Sequence, residues 1–97
     1  MKFRYQPSYQ IPYLWQNLLW CLCKLYNHLS PELQEMIFVT CKEAGEDCAG
    51  EIFKAVTTMV AVRTVAYDGY MDESTLRRHI KKFYKLLYIK AKAKLGF

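Results

Sequence analysis

Residues 72–87 read DESTLRRHIKKFYKLL, and this stretch decides the fold. Asp72 is suited to cap a helix, because its carboxylate can accept from the orphan amides of the first turn. Leu76, Ile80, Phe83 and Leu87 then stand at i, i+4, i+7 and i+11, which lays an apolar stripe along one helix face. Ser74, Arg77, Arg78, Lys81 and Lys85 track a neighbouring stripe at comparable spacing. One helix therefore offers one face to a core and a cationic face to something else. His79 falls between the stripes, where solvation or partial packing suits it.

Upstream, Gly69-Tyr70-Met71 breaks the helical period. Met59 to Asp68 is predicted as a fourth helix with Thr57-Thr58 as its cap. Val60, Val62 and Val65 favour a strand by intrinsic propensity, but Ala61, Ala66 and the helical neighbours leave no partner strand. Cys48, Ala49, Ile52, Phe53 and Val56 predict a short third helix despite Gly50. Ser30-Pro31-Glu32 supplies a capping hydroxyl, a proline at the first helical position and an acid near the positive end of the dipole. It starts a second helix over about 31–44 that carries Leu33, Met36, Ile37, Thr40, Cys41 and Ala44 and stops at Gly45. Pro12 opens a first helix whose greasy face is expected to be Leu14, Trp15, Leu18, Leu22, Leu25 and Leu29, with Trp20 lying off it. Residues 1–10 show no period and are expected to form an extended arm.

The expected fold is all-α: a compact bundle of four to five helices, one domain over residues 1–97, in which residues 58–90 form a helix-turn-helix-like segment. Ninety-seven residues suit one core and are too few for two.

Charge is unevenly placed. Of the formal +5, residues 72–97 carry eight cations against Asp72 and Glu73, which leaves the first 71 residues at −1. Glu32, Glu35, Glu43, Glu46, Asp47 and Glu51 face only Lys42 between Pro31 and Glu51. Such a dipolar chain has a directional field that can steer its basic end toward phosphate; a solvated lysine-rich tail is the alternative.

The four cysteines include no CxxC pair. Cys21 and Cys23 would sit about 200° apart on a helix, so they cannot share an ion, and Cys41 and Cys48 are seven apart. Reduced thiols acting as small core hydrophobes in a cytoplasmic protein account for them better, and no metal or cofactor is expected. Lys2 and Arg4 precede an apolar stretch, but Gln16, Asn17 and Lys24 interrupt it and no small-residue cleavage site follows, so neither a signal sequence nor a membrane span is expected. With only His28 and His79, no glycine-rich phosphate loop and no cysteine with a histidine at motif spacing, an enzyme is not expected. Glu43, Glu46 and Asp47 cluster at Gly45 without calcium-loop spacing and are expected to be solvated.

A helix, a short glycine-containing turn and a basic amphipathic helix can place the second helix in a major groove, propped by the first. Ser74 and Thr75 would then sit at the groove-facing tip, Arg77 and Arg78 on guanine edges or phosphate, and Lys81, Lys82 and Lys85 on the backbone. The run AVTTMVAVRTVAYDGYMDESTLRRHIKKFY, and above all Tyr70-Met71-Asp72-Glu73-Ser74-Thr75-Leu76-Arg77-Arg78, resembles the C-terminal part of the RinA and ArpU group of small phage regulators and the sigma-factor region that reads promoters. The closing Lys94-Leu95-Gly96-Phe97 adds to the likeness, which covers about a third of the chain. The resemblance implies transcriptional control of phage genes through double-stranded DNA, with Ser74, Thr75, Arg77, Arg78 and Lys81 as the DNA face. A second expectation is a phage-type inhibitor or adaptor that binds a host protein through Tyr5, Tyr9, Tyr13 and Trp20, residues that core packing would explain equally. Helix 1 is apolar enough to serve a homodimer.

Overall fold

The C-terminal helix is the axle of the molecule. In the computed structural model, which describes residues 2–95, the chain forms α1 (Tyr13–Lys24), α2 (Pro31–Ala44), α3 (Ala49–Thr57), α4 (Val62–Asp68) and α5 (Glu73–Leu95), with single 3-10 turns at Pro7–Tyr9, Tyr26–His28 and Glu46–Cys48. No strand occurs among the described residues. The four shorter helices and the Pro7–Tyr9 turn all pack on α5. The reason is its sequence: Leu76, Ile80, Phe83 and Leu87, joined by Tyr84 and Ala91, are all buried, and burying each large apolar side chain contributes roughly 1.5–3 kcal/mol. They meet Ile37 and Cys41 of α2, Ile52 and Val56 of α3, Val65 of α4 and Leu19 and Cys23 of α1 in one continuous core. No helix among the described residues is long and apolar enough to cross a membrane.

The predicted helix starts are met where a side chain can cap. Ser30 Oγ accepts from Leu33 N at 3.4 Å, and Asp72 accepts from Thr75 N at 3.2 Å. Helix α4 departs from expectation. It begins at Val62 rather than Met59, and neither threonine caps it: Thr57 Oγ1 donates to Phe53 O and Thr58 Oγ1 to Lys54 O, both back onto α3, and the one forward bond, Val60 N to Thr58 Oγ1 at 3.3 Å, falls in the linker before α4. The turn after α4 is also unexpected in detail. Met71 N bonds Ala66 O and Tyr70 N bonds Tyr67 O, the paired bonds of a Schellman closure. The left-handed residue of that closure is Tyr70 (φ 53°), not Gly69. Gly69 leaves room for a neighbouring side chain instead: a Cβ there would meet Glu51 Cγ at 2.8 Å and push that side chain aside.

Helix α1 is rotated from the face the leucines predict. Gln16, Leu19 and Cys23 are buried, whereas Leu14, Leu18 and Leu25 are exposed, Leu14 at 77%. The cause is the arm. Gln6 N donates to Gln16 Oε1 at 2.6 Å and Gln16 Nε2 donates back to Gln6 O at 3.2 Å. A buried amide satisfied on both ends fixes the rotation of its helix, because turning it to solvent would leave the arm's backbone unpaired. The arm is therefore not free. It contains the Pro7–Tyr9 turn, buries Ile11, and stacks Tyr9 on Tyr84 of α5 at 5.9 Å between ring centroids. Helix α1 also ends at Lys24, so Leu29 lies beyond it.

Candidate nucleic-acid interface

The arm runs beside α5 and leaves a cleft of about 770 Å³, walled by arm residues, Gln16, Trp20 and Lys24 of α1, the end of α3, the start of α4 and Arg77, Arg78 and Lys81 of α5. Lys2, Arg4, Lys24, Arg77, Arg78 and Lys81 all line it, and no carboxylate does. Its floor is apolar, built from Ala55, Val56, Ala61, Val62 and Ile80, with Phe3, Tyr9, Trp20 and Tyr84 as rings. Arg77 is shared with Glu73, which lies outside the lining and takes Arg77 Nε at 2.8 Å and Arg63 Nε at 3.4 Å. The hydrogen bond from Arg77 holds the Glu73 carboxyl below the usual range.

Of the seven residues the sequence singled out, three line the cleft and the rest divide. Lys82 is exposed and Lys85 half-buried on α5 outside it. The hydroxyls of Ser74 and Thr75 are occupied: Ser74 Oγ donates to Asp72, Thr75 Oγ1 contacts the same carboxylate oxygen at 3.5 Å, and Thr75 Oγ1 accepts from Arg78 at 3.1 Å. These hydroxyls complete the helix cap and steady Arg78. His79 is the partly packed residue expected, with a specific seat: Nδ1 donates to Ala44 O at 2.9 Å at the end of α2. A Cβ on Gly45 would come within 2.7 Å of that ring, so Gly45 is needed for close approach, its own backbone being extended.

Sequence reasoning missed Lys2, Arg4 and Lys24 as part of the site. They lie more than fifty residues from Arg77, and only the packing of the arm on α5 unites them. Lys24 shows how the wall is held: Nζ donates to Ala55 O at 3.1 Å and Thr58 O at 2.6 Å, closing the C-terminus of α3, and lies 5.4 Å from the centroid of the Trp20 ring. Burial lowers the pKa of that ammonium. Trp20 is half-buried under the edge of Phe3, 5.9 Å away.

The acidic segment faces elsewhere. Glu43 binds Lys90, whose ammonium also donates to the buried Thr40 hydroxyl at 3.0 Å, and Glu32 binds Lys94 at 2.9 Å. Acids of α2 thus pair with Lys90 and Lys94 in the last turns of α5, while in the first turns Arg77 alone meets a carboxylate among the ion pairs of the described residues. Among the described residues no group of histidines, cysteines and carboxylates could hold a metal. Cys23, Cys41 and Cys48 are buried free thiols, and burial pushes Cys23 far up and Cys41 up to about 12, so neither ionises to a nucleophile. Cys21 departs from the expected core role and is exposed. Comparison with protein-family models, curated proteins and solved structures finds no match to this chain.

Proposed function

We propose that this chain is a small nucleic-acid-binding protein, a DNA-binding regulator of the phage type, whose basic surface is the first half of α5 with the cleft beside it. The observation that carries the reading is the convergence of six cations from three separate parts of the chain on one cleft whose lining holds no carboxylate, Glu73 lying outside it against Arg77. Like charges gathered this way repel one another, and an anionic polymer relieves the repulsion. The likeness of residues 70–78 to the RinA and ArpU group supports the same reading; of its closing match, Gly96 and Phe97 lie outside the described residues.

Two features refine the expectation. Helix α5 is the central element rather than a protruding one, so only its outer side is free to meet a duplex: Lys82 and Lys85 outside the cleft, and Arg77, Arg78 and Lys81 on its lining. Ser74 and Thr75, bound to Asp72, serve the helix start, and contact with DNA falls to the five cations, chiefly through phosphate. The protein acts in the cytoplasm in this reading, without catalysis and without a cofactor.

The test is fluorescence anisotropy on labelled mixed-sequence duplex at 50 and 200 mM salt. Five phosphate contacts predict a roughly 10²- to 10³-fold loss of affinity between the two. The Arg77→Ala/Arg78→Ala/Lys81→Ala variant is expected to lose most of the low-salt binding. Salt-insensitive binding, or a variant that binds as the parent does, defeats the proposal.

A second reading is favoured by a separate observation. Leu14, Leu18, Cys21 and Leu25 stand exposed along α1 at four- and three-residue spacing, the stripe by which one helix docks on another. A protein partner or a second copy of this chain fits there, and either is compatible with nucleic acid on α5.

A further inference from the structure

We infer that the cleft between the arm and α5 seats one unpaired nucleotide of a single strand, with its phosphate on Arg4, Arg77 and Lys81 and its base on the apolar floor beside Trp20. The inference rests on the nucleic-acid reading and specifies which form of the polymer enters the cleft.

Three properties of the lining lead to it. The first is shape. A volume of about 770 Å³ is in the range of pockets that bury a small ligand, whereas a duplex keeps its bases stacked inside a rod and cannot turn one into a concave wall without unpairing it. The second is the division of polarity. A site for phosphate alone has no use for a floor of Ala55, Val56, Ala61 and Val62, and an apolar ligand has no use for the cations above them. A nucleotide carries both a planar apolar face and an anion, joined at the spacing of one sugar. The third is the ring at the wall. Trp20 is half-buried in the lining with Phe3 and Lys24 against it, so a base seated on the apolar floor lies beside the indole and alters its surroundings whatever the base sequence.

An acidic peptide shares the charge but not the planar face, and a membrane surface cannot enter a concavity.

The experiment uses the full chain carrying Trp15→Phe, so that Trp20 is the sole tryptophan, and follows its emission while a fifteen-residue oligothymidylate, its duplex with oligoadenylate, thymidine 5′-monophosphate, inorganic phosphate or a fifteen-residue polyglutamate is added. Quenching by the single strand at concentrations at least tenfold lower than by the duplex, with thymidine 5′-monophosphate competing and inorganic phosphate at equal concentration not, is the expected result. Ala61 is exposed, so Ala61→Glu sets a carboxylate in the floor without burdening the core. It is expected to weaken single-strand binding about tenfold or more, a larger loss than duplex binding shows by anisotropy, and equal losses for the two overturn the inference. Equal quenching by duplex or by polyglutamate overturns the inference, as does single-strand binding that leaves Trp20 emission unchanged. If the single strand fails while duplex still binds, only this inference falls; if neither binds, the functional reading falls with it.

Discussion

One oxygen of Asp72 takes the Ser74 hydroxyl, the Thr75 amide and the Thr75 hydroxyl at the first turn of α5. These bonds, the Ser74 hydroxyl first, hold its carboxyl below the ordinary range. The linkage has a definite sign. A carboxyl whose pKa is lower folded than unfolded stabilises above its unfolded pKa, and that contribution disappears as pH falls through the folded value. Asp72→Ala is therefore expected to lower the melting temperature at pH 7, and the gap between parent and variant is expected to close as pH drops below about 4, the unperturbed carboxylate range. A gap that persists at pH 2 in calorimetry would mean that Asp72 works by packing. The same contacts explain a limit of the sequence. Ser74 and Thr75 were readable as hydroxyls at a helix start, but a hydroxyl at such a position serves either a cap or a ligand, and the sequence does not choose. Here the neighbouring carboxylate takes them.

At the scale of elements, α5 was legible from its Asp72 cap to Leu87 because its apolar stripe is regular and its cap is adjacent in the chain; its continuation to Leu95 was left open by the sequence. Helix α1 was legible as a helix but not in its rotation. Leucines fill two of its sides, and the one that faces inward is selected by Gln16, a polar residue whose partner is a backbone group in the arm. No count of apolar spacing reveals that. Thr57 and Thr58 misled for a related reason: a threonine near a helix end can bond forward to a new helix or back to the old one. The turn between α4 and α5 allows a sharper prediction. Tyr70 is 97% exposed and holds a left-handed backbone that costs a non-glycine residue roughly 1–2 kcal/mol. Tyr70→Gly removes that cost, loses no packing and gives back part of the gain as chain entropy. It is expected to raise stability by about 0.5–1 kcal/mol in urea denaturation. A loss of stability would show that the tyrosine ring holds the turn.

On the scale of the whole molecule, the charge asymmetry read from composition becomes a spatial one. Glu32 and Glu43 of α2 are paired with Lys94 and Lys90 at the far end of α5, and the near end keeps its cations for the cleft. The position of the cleft itself was not readable, because Arg4 and Arg77 meet only when the first and last elements pack together. The exposed leucines of α1 lie outside this polarity and carry their own expectation. A homodimer through that stripe predicts light-scattering mass of twice the chain at tens of micromolar, reduced to a single chain by Leu18→Glu with helical circular dichroism unchanged. Monomeric parent protein would assign the stripe to a different partner.

The central place of α5 also bears on how the protein comes apart. Helices α1 to α4 and the Pro7–Tyr9 turn all rest on this one helix, so detaching α5 uncovers the apolar side of every other helix at once. No pair of the remaining helices keeps a core of its own, and unfolding is expected to run as one cooperative step rather than helix by helix. The cleft is then present whole or not at all, because the arm and the cations opposite it share that same support.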